Sequence, residues 1–226
     1  MKGSDMTLQT RQLILVEDND LLRDLLTTAL QSQGYIVHAT ADAAEAKRVL
    51  TFVDPDGVVL DIELGHGPNG FTLARFILKE SPGTGIVFLT DLPDARFASQ
   101  PGGDFSSAVA YIRKSSLNDL RRLYDAVDLS MRGEVTAEYR DDRDKGRPFA
   151  DLTRKQIEVL RYMAVGKSNA QIAELRGTSL KATEDAIHRA CRAIGVQNVN
   201  EGNLRATAVA RFLSVIGVQP DFSSAS

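Results

Sequence analysis

Five short runs in the first half of the chain are apolar at every position: residues 13–16 (LILV), 35–37 (YIV), 58–60 (VVL), 86–89 (IVFL) and 109–112 (VAYI). Continuous rather than alternating apolarity is the pattern of a strand covered on both faces, as in a parallel sheet. Between these runs the spacing turns helical. Leu21, Leu22, Leu25, Leu26 and Ala29 form one stripe, ended by Gly34. Ala43, Ala46, Val49 and Leu50 form a second, and Phe71, Leu73, Ala74, Ile77 and Leu78 a third. Strand–helix alternation predicts a doubly wound α/β sheet over residues 12–132, with its functional groups at the carboxyl ends of the strands.

The pattern then changes. Leu117, Leu120, Leu123, Tyr124, Val127 and Leu129 predict a final amphipathic helix that offers core or dimer contacts. Residues 133–150, containing EVTAEYRDDRDKGRPFA, are dense in both charges and read as a solvated linker. Residues 151–216 are helical throughout. Thr153 with Gln156, and Ser168 with Gln171, have the spacing of capping boxes, and Ser179 is placed to cap a third helix. Ile187, Ala190, Cys191 and Ile194 set the core face of that helix, which makes Cys191 a packing residue. A fourth helix is predicted from about Asn203 to Ile216, with Leu204, Ala208, Phe212 and Val215 along it. Three short helices with tight turns form a helix-turn-helix.

Composition adds modest constraints. The chain has 226 residues, a net charge of −3 and one cysteine, which excludes an internal disulfide framework and favours a reducing, cytoplasmic setting. No apolar run approaches the roughly 18 residues of a membrane helix. Residues 1–12 lack the apolar core of a secretion signal. Charge is unevenly spread. Between Asp151 and Ser214 there are ten basic and six acidic side chains, so the back is net basic and the front carries the excess acid. Two domains with different partners are expected.

The polar residues of the front half stand at strand ends. Glu17 and Asp18 follow the first strand, Asp61 the third, Thr90 ends the fourth, and Lys114 lies just past the fifth. Clustered carboxylates repel one another unless a cation joins them, and a hard divalent ion such as Mg²⁺ prefers oxygen ligands. Such an ion, Lys114 and the Thr90 hydroxyl supply the charge neutralisation that phosphoryl transfer to Asp61 requires. His66, in the Gly-rich loop LGHGPNG, is expected to face solvent without a role.

With LVEDND, VVLDIEL, FLTD and AYIRK in place, residues 12–132 resemble a response-regulator receiver domain, whose sheet is flavodoxin-like. The resemblance implies that Asp61 accepts a phosphoryl group from a histidine kinase. It implies that Glu17, Asp18, Asp61 and the backbone carbonyl of Glu63 hold Mg²⁺. Lys114 would contact the phosphoryl group, and Thr90 and Tyr111 would act as a switch pair. Three features depart from the pattern. Asp91 stands where the family has a small residue, and Ser115 where it has Pro. The stretch DLPDARFASQPGGDFSSA is poor in helix formers, so the helix after Thr90 is expected to be short or mobile.

The second half, from LT at 152–153 through GKSNAQIAE to IGV at 194–196, resembles the LuxR/FixJ/NarL-type DNA-binding domain. The resemblance implies a transcription regulator that binds DNA as a homodimer, with the helix after Ser179 as the reader helix. Lys167, Ser168, Asn169, Ser179, Lys181, Glu184, His188, Arg189 and Arg192 are the candidate DNA contacts. Here too the chain departs. Ala182 and Glu184 stand where the family carries a hydroxyl and a basic residue, and Asp185 adds a second acid. Val199 replaces an Arg, and VNEGN reads as a small insertion. Acids facing a polyanion weaken phosphate contacts, but a carboxylate accepts from cytosine N4. The other reading is a regulator that acts through protein contacts or as a phosphate sink, with a helix-turn-helix that does not bind DNA specifically. An independent enzymatic activity is not expected.

Overall fold

The computed structural model describes residues 11–65, 67–98, 105, 108–197 and 201–216, the last set with no side-chain detail at 201–202. His66 and the first two residues of the insertion, Val199 and Asn200, lie outside them. Chain contacts divide the molecule into two units. One comprises residues 1–90 and 98–142, the other residues 91–97 and 143–226.

In the first unit five parallel strands form one sheet in the order β2-β1-β3-β4-β5. They are β1 (Gln12–Val16), β2 (Ile36–Thr40), β3 (Gly57–Leu60), β4 (Gly85–Thr90) and β5 (Ala110–Arg113). The three central strands are buried almost throughout, as their continuous apolarity demands. Helices α1 (Asp20–Ser32), α2 (Ala43–Val49), α3 (Gly70–Glu80) and α4 (Arg121–Arg132) accompany the sheet. Each of the first three starts on a side-chain cap, from Asn19, Asp42 and Asn69 in turn. In α1 the five-residue stripe of the sequence divides. Leu26 and Leu30 are buried, whereas Leu21 and Leu25 are exposed, because residues one position apart point about 100° apart around a helix. Helix α4 buries Leu123, Ala126, Val127 and Ser130, and Gly133 ends it in the left-handed conformation.

The first part of the stretch expected as a solvated linker, as far as Asp142, is built into this unit. Arg140 pairs with Tyr111 through an isolated parallel bridge, which extends the sheet past its β5 edge. The Arg113 amide donates to Asp141, which also receives Arg122 and the Ser116 hydroxyl at 2.8, 2.8 and 2.7 Å. Burial opposes charge on Asp141 more than any other single effect, but these donors together outweigh it and hold the carboxyl below its ordinary range. Arg140 is 6% exposed and meets Asp142 through two 2.8 Å hydrogen bonds. Arg140, Asp141 and Asp142 are thus satisfied by neighbours in space, while Glu134, Glu138, Arg143, Asp144 and Lys145 are exposed.

The second unit contains α5 (Arg154–Ala164), α6 (Asn169–Arg176), α7 (Leu180–Ala193) and α8 (Glu201–Ile216). Both expected capping boxes are present, and the Ser179 side chain accepts from the Ala182 amide. Gly177 ends α6 at φ 60°, which glycine adopts without cost. Ile157, Leu160, Met163, Ile172, Ile187, Ala190, Cys191, Ala208 and Phe212 form its core. Helix α8 begins at Glu201, two residues before the expected start.

Residues 91–97 also belong here, where the sequence assigned them to the α/β domain. Among the described residues of 91–109 a 3₁₀ turn, Ala95–Phe97, is the only helical segment. Phe97, Phe149 and Phe212 lie with ring centroids 6.0–6.3 Å apart. Such aromatic pairs contribute about 0.5–1.5 kcal/mol each beyond area burial. Phe149 holds φ 58°, which costs a bulky L residue roughly 1–2 kcal/mol, so the stacking offsets a strained backbone.

Candidate functional site

The sheet register assembles the strand-end residues. Leu60 pairs with Phe88 and Thr90 with Arg113, so Asp61, Thr90 and Lys114 leave neighbouring strands at the same end. Glu17 leaves β1 beside them, its amide bonded to the Thr40 carbonyl. Oxygens of Glu17, Asp18 and Asp61 all lie within 4.8 Å of one another. Glu17 and Asp61 are buried and Asp18 is exposed, so the cluster opens to solvent on one side.

Lys114 is the counter-charge. Its Nζ lies 2.7 Å from Asp61 Oδ2 and 2.8 Å from Glu17 Oε2. Burial alone would lower the lysine's proton affinity, but the two carboxylates outweigh it and the pKa is raised. Burial pushes the Glu17 carboxyl up and the neighbouring Asp61 charge adds to this, against the lowering effect of Lys114. The other oxygen of Asp61 accepts from the amides of Ile62 and Glu63, which fixes the carboxylate's orientation. Thr90 is 1% exposed at the end of β4. Tyr111 is buried in β5 with its ring 6.0 Å from that of Phe88.

Structure adds residues that the sequence did not mark. Arg23 donates to the Glu17 carbonyl at 2.8 Å and ties α1 to the acidic loop. Gly70, the first residue of α3, donates its amide to the Ile62 carbonyl at 2.8 Å. A Cβ at Gly70 would stand 2.1 Å from the Asp61 carbonyl oxygen. Nothing flexible can yield there, so Gly70→Ala should displace the Asp61 loop. We expect a loss of about 1–3 kcal/mol, the usual range for overpacking, measured by urea unfolding. An unchanged midpoint would refute this close fit. Ser115 lies exposed in a 3₁₀ turn, Lys114–Ser116, and no cis peptide occurs among the described residues.

In the second unit α7 presents Lys181, His188, Arg189 and Arg192 to solvent. Glu184 is half-buried. Lys181 Nζ lies 3.6 Å from Asp185 Oδ1 one turn on, so an acid partly neutralises the first cation of this face. The Ser168 and Ser179 hydroxyls accept from their own helices as caps. Asn169 Oδ1 accepts from Arg205 at 3.1 Å, and Arg205 also donates to the Lys167 carbonyl. Asn169 and the backbone of Lys167 are thus held by α8 rather than left mobile.

A parallel 2-1-3-4-5 sheet with three carboxylates and a lysine at its carboxyl end defines an α/β protein with one acidic centre that could hold a metal ion. The response regulator receiver domain family matches residues 13–127, and the chain belongs to that family. Similarity extends into the second unit. The transcriptional regulatory protein LiaR of Bacillus subtilis is 24% identical over 190 residues, covering 78% of this chain and 87% of that protein. The oxygen regulatory protein NreC of Staphylococcus carnosus is 24% identical over 188 residues, covering 76% and 86%. Among solved structures, RcsB from Salmonella enterica serovar Typhimurium, bound to promoter rprA with a phosphomimetic, matches with TM-score 0.55 at 20% identity. It covers 91% of this chain and 100% of that one, and shows a shared fold. These likenesses span most of the chain, beyond the receiver region. No helix among the described residues is long and apolar enough to cross a membrane.

Proposed function

We propose that the protein is a phosphorylation-controlled transcription regulator of a two-component system. The observation that carries this reading is the Lys114 ammonium held between Glu17 and Asp61 at the mouth of an acidic cluster. An Asp61 carboxylate oxygen attacks the phosphorus of a histidine kinase's phosphohistidine. The N–P bond breaks, an acyl phosphate forms, and the imidazole leaves. Lys114 lies where it can pair with the incoming phosphoryl oxygens. Glu17, Asp18 and Asp61 suit Mg²⁺ because they offer hard oxygen donors around one point, and the Glu63 backbone carbonyl would complete the set. That ion, when bound, supplies the charge neutralisation that phosphoryl transfer needs. Thr90 and Tyr111 are the switch pair. The curated relatives are named as regulators and the RcsB structure carries promoter DNA, which supports DNA as the output partner; a further solved structure, of two RcsB dimers on two DNAs, supports a homodimer as the binding form.

Genomic selection with the full-length protein tests the output. Specific fragments should be enriched at low salt, and more so with beryllofluoride, a phosphoryl mimic. No enrichment in either state would overturn the transcription reading and favour a protein-binding output.

A further inference from the structure

Arg205 stands near the start of α8 and outside the candidate DNA contacts. Ala208 and Phe212, about one and two turns further along the same helix face, are buried. That packing fixes the direction in which Arg205 reaches, toward the turn between α5 and α6. Its Nη1 donates to Asn169 Oδ1 at 3.1 Å and its Nη2 to the Lys167 carbonyl.

Three helices hold this turn. Gly166 has φ 76°, and the Lys167 amide donates back to the Tyr162 carbonyl at 3.0 Å, which ends α5. Ser168 caps α6, its own amide donating to Gln171 Oε1 at 2.8 Å. Arg205 supplies the hold from α8. It does more than fasten the backbone. A guanidinium can only donate, so the Asn169 atom that faces it must be the carboxamide oxygen. The two N–H groups of that carboxamide are left to donate elsewhere. Phosphate oxygens only accept, and an asparagine free to rotate would offer them its oxygen as often as its nitrogen.

We propose that Arg205 is a positioning residue for DNA. By gripping Asn169 Oδ1 and the Lys167 carbonyl, it commits the Asn169 carboxamide to donate to a DNA phosphate. This rests on the DNA-binding reading above. Arg205 itself acts through Asn169 and not as a further charge on the DNA.

The test titrates the full-length protein with a mixed-sequence DNA duplex at several salt concentrations. Asn169→Ala and Arg205→Met should each weaken binding about tenfold at 0.1 M salt and flatten the salt slope by about 0.9, the share of one phosphate contact. The doubly substituted protein should bind no more weakly than either single variant, because both changes remove the same contact. Arg205→Lys keeps the charge but not the planar fork that reaches two acceptors, so it should lose nearly as much. It carries the test if Arg205→Met fails to fold. In the free protein the Asn169 carboxamide resonances should shift on Arg205→Lys. Losses that multiply in the double variant, full affinity in a folded Arg205 variant, or unshifted resonances overturn the assignment alone. No binding of any duplex by the unaltered protein removes the DNA reading and the assignment with it.

Discussion

Asp61→Asn should take up no phosphoryl group from acetyl phosphate or a histidine kinase, and intact-protein mass should show no added phosphate. The substitution keeps the size and shape of the side chain but removes the anionic oxygen that faces Lys114 at 2.7 Å. Lys114 retains Glu17 at 2.8 Å, so the centre should keep a charge-paired lysine and the fold should persist. The loss is therefore chemical rather than structural, and circular dichroism should match that of the unaltered protein. Labelling at the unaltered level would move the acceptor to another residue. Any stimulation of DNA binding by the phosphodonor should vanish with the label.

Glu184→Lys should tighten binding to any duplex about tenfold at 0.1 M salt, without narrowing sequence preference. Glu184 is the fifth residue after the Ser179 cap, half-buried at the edge of a face that presents Lys181, His188, Arg189 and Arg192. One more neutralised phosphate steepens the salt dependence of log K by about 0.9, and that sets the tenfold figure. Titration of the same DNA at several salt concentrations gives both slope and affinity. If the specific site is lost while the slope stays constant, Glu184 reads a base and the expectation fails. Asp185 already neutralises Lys181 across one turn, so its own removal should have a smaller effect in the same direction.

Much of the acidic centre was legible in advance because it depends on chain direction alone. Parallel strands buried on both faces must leave the sheet at one end, and Glu17, Asp18, Asp61 and Lys114 each follow such a strand while Thr90 ends one. The helix starts were legible for a similar reason. A cap is a contact between residues three apart, as for Thr153 with Gln156 and Ser168 with Gln171. Gly70 was not legible, because what forbids a side chain there is the Asp61 carbonyl on a different element. Nor was the division of the α1 stripe, since periodicity names an apolar face without saying how wide a surface the sheet will cover.

Residues 91–97 and 134–142 mark the limit most clearly. By composition the first is a weak helix of an α/β domain and the second a solvated charged linker. In the folded protein Asp94 meets Arg147, 53 positions away, and Asp141 meets the Arg113 amide, 28 positions back. Local order follows from neighbours along the chain: apolar runs make strands, i, i+3, i+4 spacing makes helices, and short polar side chains begin them. Where a charged residue finds its counter-charge, and to which unit a loop belongs, follow from neighbours in space. A buried ion pair is stable only when distant partners arrive together, and no local pattern carries that condition.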